Sequence, residues 1–170
     1  MTLSMYQAAI PPLTHSLNSL VSILEKGAAY AEAKKIAPGV LIGFRLYPDM
    51  FPLSRQVQIA SDIAKRGAAR LAGVEPPAME DDEATFDELI TRLQETIAYL
   101  KTLTPEQIDG TEAKIIELPV GGETMTFDGQ SFLLYFILPN LYFHVTTAYD
   151  ILRHCGVELG KRDYLGAPQA

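Results

Sequence analysis

The chain has 170 residues, 48% of them hydrophobic and 21% charged, with 14 Lys and Arg against 21 Asp and Glu for a formal charge of −7. A chain of that length buries roughly 70% of the surface it exposes when unfolded, so it reads as one domain over residues 1–170, and its composition excludes a disordered chain. The acidic balance argues against nucleic acid as a partner, since phosphates call for clustered Lys and Arg, and the lone Cys155 has no internal disulfide partner, which fits a reducing, cytoplasmic setting.

The opening segment MTLSMYQAAIPPLTHSLNSL lacks the basic start and unbroken apolar stretch of a signal peptide and reads as part of the fold. Ser4 and Gln7 make a capping-box pair, and Ile10, Leu13, Leu17, Leu20, Leu24 and Ala31 recur at three-, four- or seven-residue steps. A first helix is expected to about Lys35, kinked at Pro11 and Pro12, with His15 off its stripe as a solvated surface residue. Ala37, Pro38 and Gly39 end it. An irregular connection follows, with a short helical turn at 40–44. A second helix starts near Pro52 and stops near Gly73. Its stripe is Leu53, Gln56, Ala60, Ile63, Gly67 and Leu71, polar at Gln56, and its small residues let a neighbouring helix approach closely.

Residues 75–95 hold eight acids and one base, Arg92, a net of −7 that equals the charge of the whole chain. This acidity reads as solvated helix punctuation: a linker, then the capping box Thr85-Phe86-Asp87-Glu88 of a third helix with Leu89, Leu93, Ile97 and Leu100 on one face. Thr104 to Gln107 repeats the capping pattern for a short extra turn. In 114–127 the period becomes two. With Gly121-Gly122 as the turn of a hairpin, Ile116 faces Phe127, Leu118 faces Met125, Pro119 faces Thr124 and Val120 faces Glu123. The fourth and longest helix runs from Gly129, capped by Asp128, to Cys155, with Gly156 just beyond it and a kink at Pro139. Its apolar run is too short for a membrane span of about 20 residues, so no membrane is implied. The tail from Val157 to Ala170 reads as a loosely packed extension. The sum is an all-α four-helix bundle with a small β-hairpin between helices 3 and 4.

Laid out at 100° per residue, the fourth helix puts Asn140, His144 and Thr147 among Leu133, Phe136, Ile137, Ala148 and Ile151 on one side. The other side carries Leu134, Tyr135, Leu138, Leu141, Tyr142, Val145 and Tyr149 and is apolar as well, which points to a homodimer through this helix. Asn140 and His144 are one turn apart, and Gln56, in the stripe of the second helix, is expected to meet them across the bundle. Three readings stand: a satisfied core network, a small-molecule pocket, or a metal site, the last short of nitrogen and carboxylate donors. His154 reads as a cation at a helix end and Cys155 as a packed or half-exposed thiol.

Two blocks, LYPDMFPLSRQVQIASDIAKRGAARLAG and LPNLYFHVTTAYDILRHCGVELGKRDYLG, resemble the best-marked segments of an uncharacterised bacterial domain family grouped with the DinB-like helical-bundle superfamily of metalloenzymes. The resemblance spans essentially the whole chain. It implies a four-helix bundle with a long first crossover, frequent dimers, and a divalent metal held by one His on the second helix and two on the fourth. In some members that metal serves thiol-dependent transferases, isomerases or hydrolases. Aligned residue by residue, the three positions are Gln56, Asn140 and His144, and only His144 matches. The expectation is therefore a degenerate metal triad with no resident cofactor. Gln56, Asn140, His144 and Thr147 line a polar ligand pocket, and His144 is the residue able to act as acid or base. The competing expectations are a metal-dependent enzyme in which Asp49 or Asp62 completes the ligands of His144, and a non-catalytic dimeric interaction protein.

Overall fold

A computed structural model describes residues 3–166. Helix α1 (Met5–Lys34) begins at the Ser4/Gln7 capping box and ends at Lys35 in the left-handed conformation, and it carries Pro11 and Pro12 within its length. A short α2 (Pro38–Ile42) sits in the crossover to α3 (Leu53–Ala72), which ends at Gly73, also left-handed. Helix α4 (Phe86–Leu100) starts at the predicted box, with Thr85 accepting from the Glu88 N–H while the Glu88 carboxylate accepts from the Thr85 N–H. A single turn, α5 (Pro105–Ile108), leads to strands β1 (Ile115–Val120) and β2 (Glu123–Asp128). Their antiparallel register is the predicted one, with Ile116 opposite Phe127 and Pro119 opposite Thr124.

α1 and α3 each pack against both α4 and the last long helix, so α1 stands across the diagonal from α3. The first crossover therefore passes over the end of the bundle. The core is one continuous cluster drawn from all four long helices, from Leu13, Leu17 and Leu24 on α1 through Leu53 and Leu71 to Leu89 and Leu93 on α4.

The last long helix differs from the expected kinked rod. It opens at the Asp128 cap with α6 (Gly129–Ser131), widens to a π-helical segment over Phe132–Ile137, and continues as α7 (Leu138–His154). Pro139 has no N–H to give and its ring would crowd the carbonyl four residues back. The chain meets this by shifting register just upstream, where the Leu138 N–H reaches the Leu133 carbonyl five residues behind. Gly129 allows the start of this helix to press against the preceding loop, because a Cβ there would lie 2.0 Å from the Thr111 carbonyl oxygen.

Two further expectations are corrected. The tail is packed as far as it is described: Val157 and Leu159 are buried, α8 (Lys161–Leu165) lies on α1, and Lys26 pairs with Asp163 at 2.6 Å. Residues 167–170 lie outside the described residues. His15, expected in solvent, is half-buried with its Nε2 2.6 Å from the Leu165 carbonyl oxygen, because α8 folds back over it.

The acidic linker is likewise more than punctuation. Arg92, 3% exposed, extends from α4 and uses all five of its N–H donors: Nη1 on the Glu80 carbonyl and Glu83, Nη2 on Asp62 and Asp81, and Nε on Ser61. Burial would weaken its charge, but Glu83, Asp62 and Asp81 outweigh that and hold its pKa above the usual value. Thr96 donates to the Arg92 carbonyl, so its hydroxyl hydrogen is committed and the 2.8 Å contact from Ser61 must carry the Ser61 proton. A closed ring of hydrogen bonds results. Lys65, 1% exposed, sits 3.3 Å from Asp62 on the same side.

Candidate functional site

Gln56 lies in the first turns of α3 and His144 midway along α7, and the antiparallel packing of these helices sets the two side chains at one level. The same packing is close at Gly67, where a Cβ would come within 2.8 Å of Ile137. Small residues on α3 thus bring α7 close enough for a glutamine to reach an imidazole.

The amide of Gln56 is oriented by the backbone. Its Nε2 donates to the Phe51 carbonyl at 3.1 Å, and since a carbonyl can only accept, the Oε1 faces His144 Nδ1 at 2.7 Å. Nδ1 must then carry the proton. In the neutral ring the lone pair is therefore on Nε2, the outcome usually set by a carboxylate or carbonyl behind a histidine. Burial, and then the positive charge of Arg55, lower the His144 pKa from its ordinary value. Both effects favour the neutral ring, in which Nε2 is the acceptor. Among the described residues, Nδ1 alone of its two nitrogens has a hydrogen-bond partner. The Phe143 ring meets the imidazole edge-on at 5.2 Å, and Phe143 and Phe51 are both more than half exposed beside it.

The other two predicted residues turn back onto their own helix. Asn140 Nδ2 donates to the Phe136 carbonyl at 2.7 Å and Thr147 Oγ1 to the Phe143 carbonyl at 2.8 Å, bonds to the residue four back that cost the helix little. Gln56 and His144 are thus bonded to one another, with Asn140 and Thr147 one turn to either side of the histidine. What sequence reasoning missed was the Phe51 carbonyl and Arg55. A backbone acceptor has no signature in a residue string, whereas Arg55, adjacent to Gln56, was open to view.

The donor set does not fit the metal that the resemblance implies. Two neutral amides stand where imidazoles are needed, the Gln56 oxygen is already used by the Nδ1–H, and an amide oxygen such as that of Asn140 is a poor substitute for a nitrogen donor to a transition metal. Among the described residues no group of three His, Cys, Asp or Glu side chains is placed to hold an ion. Asp62 is engaged by Lys65, Arg66 and Arg92, and Asp49 is exposed on the crossover. Cys155 is half-buried and burial pushes its thiol pKa up, the opposite of what a nucleophile requires. His154, at the end of α7, lies 5.7 Å from the Phe44 ring.

No helix among the described residues is long and apolar enough to cross a membrane. Comparison with curated proteins gives no match. The family model described as "Domain of unknown function (DUF1993)" matches residues 5–165. The crystal structure of a DinB family member protein from Shewanella denitrificans is similar over 97% of this chain and 93% of that one, with 41% sequence identity and a TM-score of 0.86. With a bundle of this topology and a family match over nearly its full length, the chain belongs to the DUF1993 family of DinB-like proteins.

Proposed function

We propose that this protein is a ligand-binding DinB-like bundle in which the metal triad has become a neutral Gln56–His144 pair, with Asn140 and Thr147 flanking it. The observation that carries this reading is the fixed tautomer: Phe51 orients Gln56, Gln56 holds the proton on Nδ1, and Nε2 is left as a hydrogen-bond acceptor. A ligand with a hydroxyl or N–H donor would be met there, and a lowered pKa keeps the acceptor available at neutral pH. If a reaction takes place, His144 is its acid or base.

Supporting a homodimer are Leu134, Tyr135 and Tyr142 of the expected outer side of the last helix, exposed with Tyr135 at 76%, while Leu141 and Val145 of that side are buried in the core. A lone Cys155, with no second cysteine to pair with, supports a cytoplasmic setting.

The test is a ligand-observed NMR screen of small hydroxyl- and amide-bearing fragments against the wild type and His144→Gln. Expected is a set of binders lost in the variant while its melting temperature holds within a few degrees. An identical set in both proteins would overturn the reading, as would stoichiometric zinc, nickel or iron in protein purified without chelator or affinity-tag metal.

A further inference from the structure

A second concavity lies along α3, on the side where the hairpin and the π-helical segment meet it. It is an open cleft of about 380 Å³, a volume suited to a small molecule. Its rim is cationic although the chain is strongly acidic: Arg55, Arg66 and Arg70 line it against one carboxylate, Asp62. Its floor is apolar, and Leu118 of the hairpin and Phe136 of the π-helical segment are half-buried there, leaving hydrocarbon surface in contact with water.

The three arginines are not equally engaged. Arg55 is tied to Asp81 and Gln58. Arg66 makes an i,i+4 pair with Asp62 at 3.2 Å, yet that carboxylate also faces Lys65 and Arg92, so its charge is already answered from the buried side. An exposed pair of this kind contributes a few tenths of a kcal/mol, and releasing Arg66 costs little. Arg70 forms no ion pair among the described residues. One turn apart on the same helix, Arg66 and Arg70 can converge on a single anion, and the planar guanidinium fork matches a carboxylate.

We propose that this cleft binds a small apolar acid, with Arg66 and Arg70 taking the carboxylate and Leu118 and Phe136 its hydrocarbon body. The site is separate from the Gln56–His144 pair, neither of which lines it.

Calorimetric titration of the full chain with 2-naphthoate, 2-naphthylmethanol and inorganic phosphate tests this. Expected is saturable 2-naphthoate binding, at least tenfold tighter than that of the alcohol or of phosphate and weakened by salt. The double variant Arg66→Met/Arg70→Met should lose that tenfold preference while keeping its melting temperature and its affinity for the alcohol, and His144→Gln should bind 2-naphthoate as the wild type does. Four outcomes would overturn the proposal: no 2-naphthoate binding, equal binding of acid and alcohol, phosphate binding as tightly as the acid, or a double variant that retains the preference. Loss of 2-naphthoate binding in His144→Gln would also overturn it by moving the anion to the histidine, whereas failure of the His144 reading leaves this cleft unaffected.

Discussion

Helix α3 buries polar side chains toward two neighbours and treats them in opposite ways. Toward α4, charge is met with charge until nothing is left over: every Arg92 donor has an acceptor, and Ser61 and Thr96 close a ring. Toward α7, no charge is used, the pair is an amide and a neutral imidazole, and one imidazole nitrogen is left over. A saturated network holds an interface together, whereas an unsaturated one has something to offer a ligand. Both involve a buried or half-buried basic side chain, so residue type alone does not tell the structural group from the chemical one.

The sharpest way to break this comparison is Arg92→Met. It takes the Arg92 donors from Glu83, Asp81, Asp62 and the Glu80 carbonyl, while Asp81 keeps Arg55, Glu83 keeps Gln58 and Asp62 keeps Lys65, so the cost falls at the lower end of what breaking a buried ionic network brings, about 3 kcal/mol. In a chain of this size that is a fall in melting temperature of about 6–12 °C by calorimetry. A loss under 1 kcal/mol would mean the network is ornamental. Gly67→Ala should come next, since the new methyl meets Ile137 at 2.8 Å and overpacking of this kind costs about 1–3 kcal/mol in denaturant unfolding. Gln56→Met on the α7 side should cost only about 1 kcal/mol, because water can take over the Nδ1–H at a half-buried ring. If that cost equals the loss from Arg92→Met, the two sides do not differ.

Acid should separate them in another way. The folded His144 pKa lies below its unfolded value of about 6.5, so below that pH the unfolded chain takes up a proton that the folded chain resists. Stability should fall as pH drops from about 6.5 toward the folded pKa, and in melting experiments His144→Gln should lack that component. The smallest effect belongs to the surface pair of Lys26 and Asp163, where Lys26→Ala should cost under about 1 kcal/mol and less in high salt.

Much of this was legible in the sequence. The Ser4/Gln7 and Thr85/Glu88 caps, the hairpin register and the α3 stripe depend on short-range rules, periodicity and turn chemistry that a residue string carries directly. Of the site, Gln56 and His144 were visible as polar breaks in apolar stripes. Their tautomer was not, because it depends on a carbonyl at Phe51 that any residue would supply. The role of Arg92 was hidden for a similar reason: the carboxylates that clamp it are Asp81 and Glu83 of the linker and Asp62 of α3, brought together across a fold the local pattern does not specify. The packed tail escaped because a short segment with few apolar residues gains its order from α1 rather than from its own periodicity.

The π-helical turn at Phe132–Ile137 works as a phase shifter. It takes in one residue more than the α-helical count, so the stretch after it is rotated by about 100° relative to an unbroken helix. What faces the hairpin upstream and what faces Gln56 downstream are therefore offset from each other by that turn. Deleting one residue there would restore a regular helix and leave both ends helical, yet it would swing either the cleft-lining Phe136 or His144 off its present bearing. The two candidate sites of this protein are in this sense keyed to each other through a single turn of backbone.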